Sequence, residues 1–158
     1  MTREDAPAYA TEETLEKAID EALRTNDVDQ ERADIIDSAP GVGTKTAVAL
    51  VVLLPELGTI CRRKITKLVG LAPFTRESGR WKGKRFIGYG RGAVRAALFM
   101  PTIVVTKHNP VIRAYYQRLL AAGKPKMVAL TACMRKLLVR LNAMVQHRVM
   151  WSHSDAVE

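Results

Sequence analysis

The strongest constraint on this chain is the spacing of apolar residues near its C-terminus. Met127, Leu130, Met134, Leu137, Leu141 and Met144 follow one another at intervals of three and four. An α-helix brings such positions onto one face, so the pattern predicts a helix from about Pro125 to Arg148. Two partners for the stripe stand open at this point: the core of the same domain, or a helix of another chain joined through a heptad-like seam.

The same periodicity recurs upstream. Thr11 is read as the cap of a first helix carrying Leu15, Ile19, Ala22 and Leu23 on one face, with Glu12 and Glu13 suited to its first turn. Asp29 is read as the cap of a second helix, which holds Ile35 and Ile36. Ala47, Leu50, Val51 and Leu54 predict a buried helix ending at Pro55 to Gly58. Ile65, Leu68 and Val69 form the inner face of a short helix whose outer face is Arg62, Arg63, Lys64 and Lys67. Helical spacing resumes from Ala93 to about Lys107, with a bend at Pro101, and Pro110 opens a further helix at an N-terminal position. Residues 73–92 break the rule: five glycines surround the aromatic β-formers of "KRFIGYG", which reads as a loop or small β-hairpin.

Between the second and third predicted helices lies "APGVGTK". A helix, then an apolar residue, Pro-Gly-x-Gly and another helix is the pattern of a helix-hairpin-helix. Its chemistry is anion capture, because glycines admit a close backbone and the next helix offers free amides to a phosphate. Gly41 and Gly43 supply the approach, while Thr44 and Lys45 add a hydroxyl and a charge. Such contacts read the backbone of a nucleic acid, not its bases. The plainer alternative is a glycine turn between two packed helices. The predicted fold is therefore mainly α: a helical domain containing a helix-hairpin-helix at about 30–58, with a basic glycine-rich loop or hairpin around 73–92. Residues 1–28 read as an acidic helical connector, 29–150 as the main domain and 151–158 as a tail.

Charge says what this domain meets. The 158 residues carry a net +9, and the distribution is uneven. Residues 1–60 hold 5 Lys/Arg against 13 Asp/Glu, whereas residues 61–158 hold 20 against 3. So large a surface with few acids repels itself unless an anion compensates, which points to nucleic acid. Between Arg62 and Arg95 there are 11 Lys/Arg and one acid, Glu77. Within that run Arg76, Arg80, Lys82, Lys84 and Arg85 surround Ser78, with Trp81 interleaved, which supplies phosphate clamps and a face for a base or sugar. A serine attacks phosphorus only when its proton is taken and the developing charge is stabilised. No histidine or carboxylate cluster near Ser78 in sequence does this, so the loop serine is either a polar turn residue or a nucleophile completed from elsewhere.

Cys61 and Cys133 form neither a metal-ligand spacing nor a disulfide framework, and the expected setting is a reducing cytoplasm, close to the nucleoid. The apolar runs "AVALVVLLP" and "AALFMPTIVV" are too short to span a bilayer, and Met1 to Asp5 do not read as a secretory leader. No membrane role and no metal site are expected in this chain.

The quoted segments "PGVGTKTAVALVVLLPELG", "GLAPFTRESGRWKGKR", "VRAALFM", "NPVIRAYYQRLLAAGKP" and "ALTACMRKLLVRLNAMV" resemble, in order, the C-terminal transposase domain of the IS116/one-ten/IS902 insertion-sequence family, in its eleven-eleven-like branch. The likeness covers about residues 30–151. It implies a serine-dependent DNA recombinase guided by a structured RNA of its own element and working as a homo-oligomer. Full-length members carry an N-terminal domain of RNase H/RuvC type with four acids that hold Mg²⁺. The nucleophile of the family falls on Ser78, in "RESG". This chain departs from the pattern in lacking that N-terminal domain, and its "FIGYGRGAVR" has Gly88 and Tyr89 where a bulkier or basic residue is usual. It is thus expected to be a fragment that binds DNA or structured RNA but does not recombine it alone. A rival reading is a non-catalytic helix-hairpin-helix module acting as a decoy or remnant.

Overall fold

A computed structural model describes residues 26–78 and 81–152 together with Lys17 and Glu21; for residues 74–78 and 81–86 it describes the backbone. The mainly helical expectation holds. Along the described residues run α1 (Asp27–Asp37), α2 (Thr44–Leu53), α3 (Arg62–Val69), β1 (Phe74–Ser78), β2 (Trp81–Phe86), α4 (Gly92–His108), α5 (Pro110–Ala121) and α6 (Lys126–His147). The first predicted helix, with Thr11, Leu15, Ile19, Ala22 and Leu23, lies outside the described residues.

The longest helix, α6, is the axis of the core, and α1, α3, α4 and α5 all pack on it. Its Cys133, Leu137, Leu138 and Leu141 are fully buried, facing a core that includes Ile36, Leu50, Ile65, Leu98 and Ile112. The stripe from Met134 to Met144 is thus spent inside this domain. Met127 is the exception at 59% exposed. Residues 121–128 are all exposed, so the first turn of α6 overhangs the core that the helix enters at Ala129. Removing a fully buried leucine such as Leu137 costs about 2–5 kcal/mol, since the lost transfer energy adds to that of the cavity.

Local chemistry sets the helix ends. The cap of α1 is Asn26, not Asp29: the Asn26 side-chain oxygen accepts the Val28 N–H at 3.2 Å, while its amide donates to Asp29 at 2.9 Å. Asp29 instead sits in the first turn, where its charge suits the helix dipole and where it pairs with Arg32 at 3.2 Å. Asn109 caps α5 by accepting the Val111 and Ile112 N–H groups, and Pro110 stands in the first turn as expected. Pro101 lies buried within α4, where its missing N–H leaves the Ala97 carbonyl without its usual helical donor.

Helices α2 and α4 lie antiparallel. The turn before α2 meets the end of α4, where a side chain on Gly41 would touch Val104 and Val105. The far end of α2 meets the start of α4, where Arg91 donates to the Leu53 carbonyl at 3.2 Å. The turn after α2, residues 54–60, is held by buried Leu54 and Leu57 and by two polar clamps. Arg32 of α1 donates to the carbonyls of Pro55 and Leu57 at 2.8 and 2.7 Å. Asn142 of α6, only 2% exposed, accepts the Gly58 N–H at 2.8 Å and donates to the Ile60 carbonyl at 2.9 Å.

Candidate nucleic-acid interface

The basic glycine-rich segment leaves α3 and returns to α4 as an antiparallel strand pair. Phe74 lies opposite Phe86, Thr75 opposite Arg85, Glu77 opposite Lys82 and Ser78 opposite Trp81. The register shifts between Thr75 and Glu77, so Gly83 and Lys84 together stand across from Arg76 as a β-bulge. A glycine at a bulge suits the local twist. Ser78 is therefore the last residue of β1, in the terminal pair, and Arg76, Lys82, Lys84 and Arg85 occupy the same two strands. Gly79 and Arg80 lie between the strands and outside the described residues. Among the described residues no helix packs against β1 or β2.

What holds this arm is its root. The chain enters past Gly70, which ends α3 in the left-handed conformation, and leaves through Tyr89 and Gly90. There the two backbones touch: a side chain on Gly70 would overlap the Tyr89 carbonyl oxygen, and one on Gly90 would lie 2.5 Å from the Leu68 carbonyl oxygen. The Arg91 N–H donates to Leu68 at 3.0 Å, and Arg95 donates to the carbonyls of Val69 and Tyr89 at 2.8 and 2.9 Å. Arg91 also forms a two-pronged pair with Glu56, both contacts at 2.6 Å, which ties the root to the turn after α2. The Arg91 guanidinium, through these hydrogen bonds, holds the Glu56 carboxyl below its usual titration range. Two of the cations counted in the basic run, Arg91 and Arg95, thus act as structural ties. The Gly70–Gly90 contact and both arginine roles were missed in the sequence, although a glycine closing a basic helix is a recognisable C-terminal signal.

The second candidate set sits elsewhere. Gly41 has φ +85°, and Gly43 precedes α2 in extended conformation as its N-terminal cap residue. Gly43, Thr44 and Lys45 are exposed. The Thr44 hydroxyl donates to the Asp37 carboxylate at 3.3 Å, which places an acid beside the proposed phosphate cradle. A side chain on Gly43 would meet nothing within 4 Å, and its φ of −84° is open to any residue. The fold itself therefore does not require glycine there. This turn and the hairpin root lie at opposite ends of α4: from Arg95 to Val104 is roughly 14 Å of helix axis at 1.5 Å per residue.

Exposed cations also line α3, with Arg62, Arg63, Lys64 and Lys67 on its outside as expected. Cys61 stands at the N-terminus of α3, and the Lys64 backbone N–H that it accepts lowers its thiol pKa. Burial pushes the Cys133 thiol up to about 11. Among the described residues no group of three or more His, Cys, Asp or Glu stands close enough to hold a metal ion, so these residues do not fit the Mg²⁺ site of the resembled family. Among them also, no helix is long and apolar enough to cross a membrane.

The sequence that builds this domain is matched by known proteins. The family model described as Transposase IS116/IS110/IS902 family matches residues 33–117, more than half of the sequence, and the chain belongs to that family. It is 33% identical over 119 residues to the pilin gene-inverting protein of Moraxella lacunata, covering 73% of this chain and 37% of that protein. Its counterpart in Moraxella bovis matches to the same extent. An insertion element IS110 protein of 43.6 kDa from Streptomyces coelicolor is 31% identical over 115 residues, covering 71% of this chain and 28% of that protein. The chain thus spans between 28% and 37% of the length of these relatives.

Proposed function

We propose that this chain is the DNA-binding and strand-exchange portion of a transposase, with Ser78 as its nucleophile. The observation that carries the reading is the register of the hairpin. Ser78 ends its strand in the terminal pair, four cationic positions share the two strands, and the root beneath is locked to the core. In the reaction the Ser78 hydroxyl oxygen forms a bond to phosphorus while a phosphorus–oxygen bond to deoxyribose breaks. The hydroxyl proton passes to a base, and the departing sugar oxygen takes one up. Arg76, Arg80, Lys82, Lys84 and Arg85 hold the phosphates around the scissile one, where fixed cations favour the more negative transition state. Activating metal ions would be held by carboxylates of a separate domain of RNase H/RuvC type, and the chain alone binds DNA or structured RNA without recombining it.

The α1–α2 turn is the second contact, read as a helix-hairpin-helix. What supports it is Gly43, a glycine the fold does not need, at a helix start whose amides favour an anion. The distance between turn and root suits two contacts several nucleotides apart along one duplex. Gene inversion and insertion, the tasks in the names of the matched relatives, both require strands to be cut and rejoined. A structured guide RNA and further copies of the chain complete the assembly.

The test uses radiolabelled duplex DNA, the full chain and the metal-binding domain of a family relative. A protein–DNA adduct stable to denaturant should form, and Ser78→Ala should abolish it while DNA binding stays within about twofold. An adduct that survives Ser78→Ala overturns the assignment. If the chain forms the adduct with Mg²⁺ and no second protein, its proposed dependence on another domain is wrong.

A further inference from the structure

Apart from the hairpin and the glycine turn, the molecule has a groove that neither site uses. It is a cavity of about 770 Å³ between the N-terminus of α3, α5 and α6. Five cations line it, namely Arg62, Arg63, Arg135, Lys136 and Arg140, and none of its lining residues is acidic. Arg62, Arg63 and Arg135 are exposed. Lys136 lies over the Tyr115 ring at 4.7 Å, and Arg140 packs on Trp151, so these two are fixed in place. Between the charges run apolar walls of Ile60, Val111 and Val139. The groove is preformed, because Asn142 in its lining clamps Gly58 and Ile60.

We propose that this groove binds an unpaired stretch of DNA, with phosphates on Arg62, Arg63 and Arg135 and a sugar or base against Ile60, Val111 and Val139. The proposal rests on the reading that the chain acts on DNA. Cations around apolar walls are what a single strand needs, since its bases are free to pack while its backbone is held. The volume suits a nucleotide-sized guest, whereas a duplex is too wide to enter. Of the uncharged polar groups in the lining, Asn142 is spent on clamping Gly58 and Ile60, and the Thr59 hydroxyl donates to the Glu56 carbonyl. The groove lies at the N-terminus of α3 and the hairpin departs from its C-terminus, roughly 12 Å away at 1.5 Å per residue.

The test measures fluorescence anisotropy of labelled oligothymidylate, of a duplex of equal length and of oligouridylate, each titrated with the full chain at several salt concentrations. The double variant Arg63→Glu/Arg135→Glu should weaken oligothymidylate binding on the order of a hundredfold, about tenfold per charged contact. Its salt slope should become shallower by about 1.4, at about 0.7 per phosphate on a single strand. Duplex binding should change less than about threefold. Arg63→Gln/Arg135→Gln, which adds no repulsion, should shift the slope equally and checks that the fold is intact. Equal losses on duplex and single strand, no loss on either, or tighter binding of oligouridylate each overturn the proposal. So does equal competition by polyglutamate, which would make the groove an acidic-peptide site. Failure of the unmodified chain to bind even the duplex would sink the DNA reading itself, whereas loss of these groove effects alone sinks only this one.

Discussion

At the foot of the hairpin, Gly70 and Gly90 are pressed against backbone carbonyl oxygens of Tyr89 and Leu68. At the α1–α2 turn, Gly41 is pressed against the side chains of Val104 and Val105. Backbone cannot move aside without breaking the hydrogen bonds that Arg91 and Arg95 make to it, whereas a valine side chain can shift at modest cost. The first junction is thus a rigid mount and the second a packed corner. The same contrast extends to charge: cations tie the root together, while an acid, Asp37, stands at the turn. An arm that must hold a reacting group gains from a stiff base, since small misplacements at a reacting centre are costly.

The largest expected effect breaks the comparison directly. Gly70→Ala should destabilise the domain by roughly 3–4 kcal/mol, combining left-handed strain with overlap against a fixed carbonyl. Gly41→Ala should cost about 2 kcal/mol, because Val104 and Val105 can give way. Urea melts of both variants check this, and equal losses would mean that the two junctions do not differ as described. Gly43→Ser separates fold from function: the new hydroxyl caps α2 and should raise stability by a few tenths of a kcal/mol. It also takes up an amide proposed for phosphate, so duplex affinity should fall about tenfold. Unchanged affinity would leave the turn a packing device.

Smaller effects sharpen the electrostatic half. Glu56 has its carboxyl pKa lowered by Arg91, so the pair's stability is fully present above the ordinary carboxylate range and is lost as pH falls through the lowered value. Glu56→Gln should flatten that acid limb of the melting curve and leave the turn around Gly41 untouched. Asp37→Asn should raise duplex affinity about two- to threefold by removing one surface charge beside Thr44. Finally, a thiol reagent at neutral pH should label Cys61 readily and Cys133 only on unfolding, as the lowered and raised thiols and their exposures require.

Much of the helical frame was legible because periodicity is a local property. The stripes of Leu50 and Val51, of Ile65 and Val69, and of Met134 to Met144 each fell on the buried face. The misreadings came where neighbours in sequence compete. Asn26 and Asp29 are both good caps, and the helix starts at the one whose oxygen reaches an orphan amide. Met127 continues the apolar spacing but overhangs the core, which the spacing alone does not reveal. Asn142 interrupts an apolar stripe, and that interruption was the available sign of a buried clamp.

By itself the sequence determined the mainly helical class, the glycine positions and a strongly cationic C-terminal half, because each follows from residue type and spacing. The tertiary structure alone decided that two cations of the basic run, Arg91 and Arg95, are consumed by carbonyls and Glu56. It also decided that the two glycine junctions lie at opposite ends of α4. The physical reason is that a charge's role depends on the partners around it, and those partners lie tens of residues away along the chain.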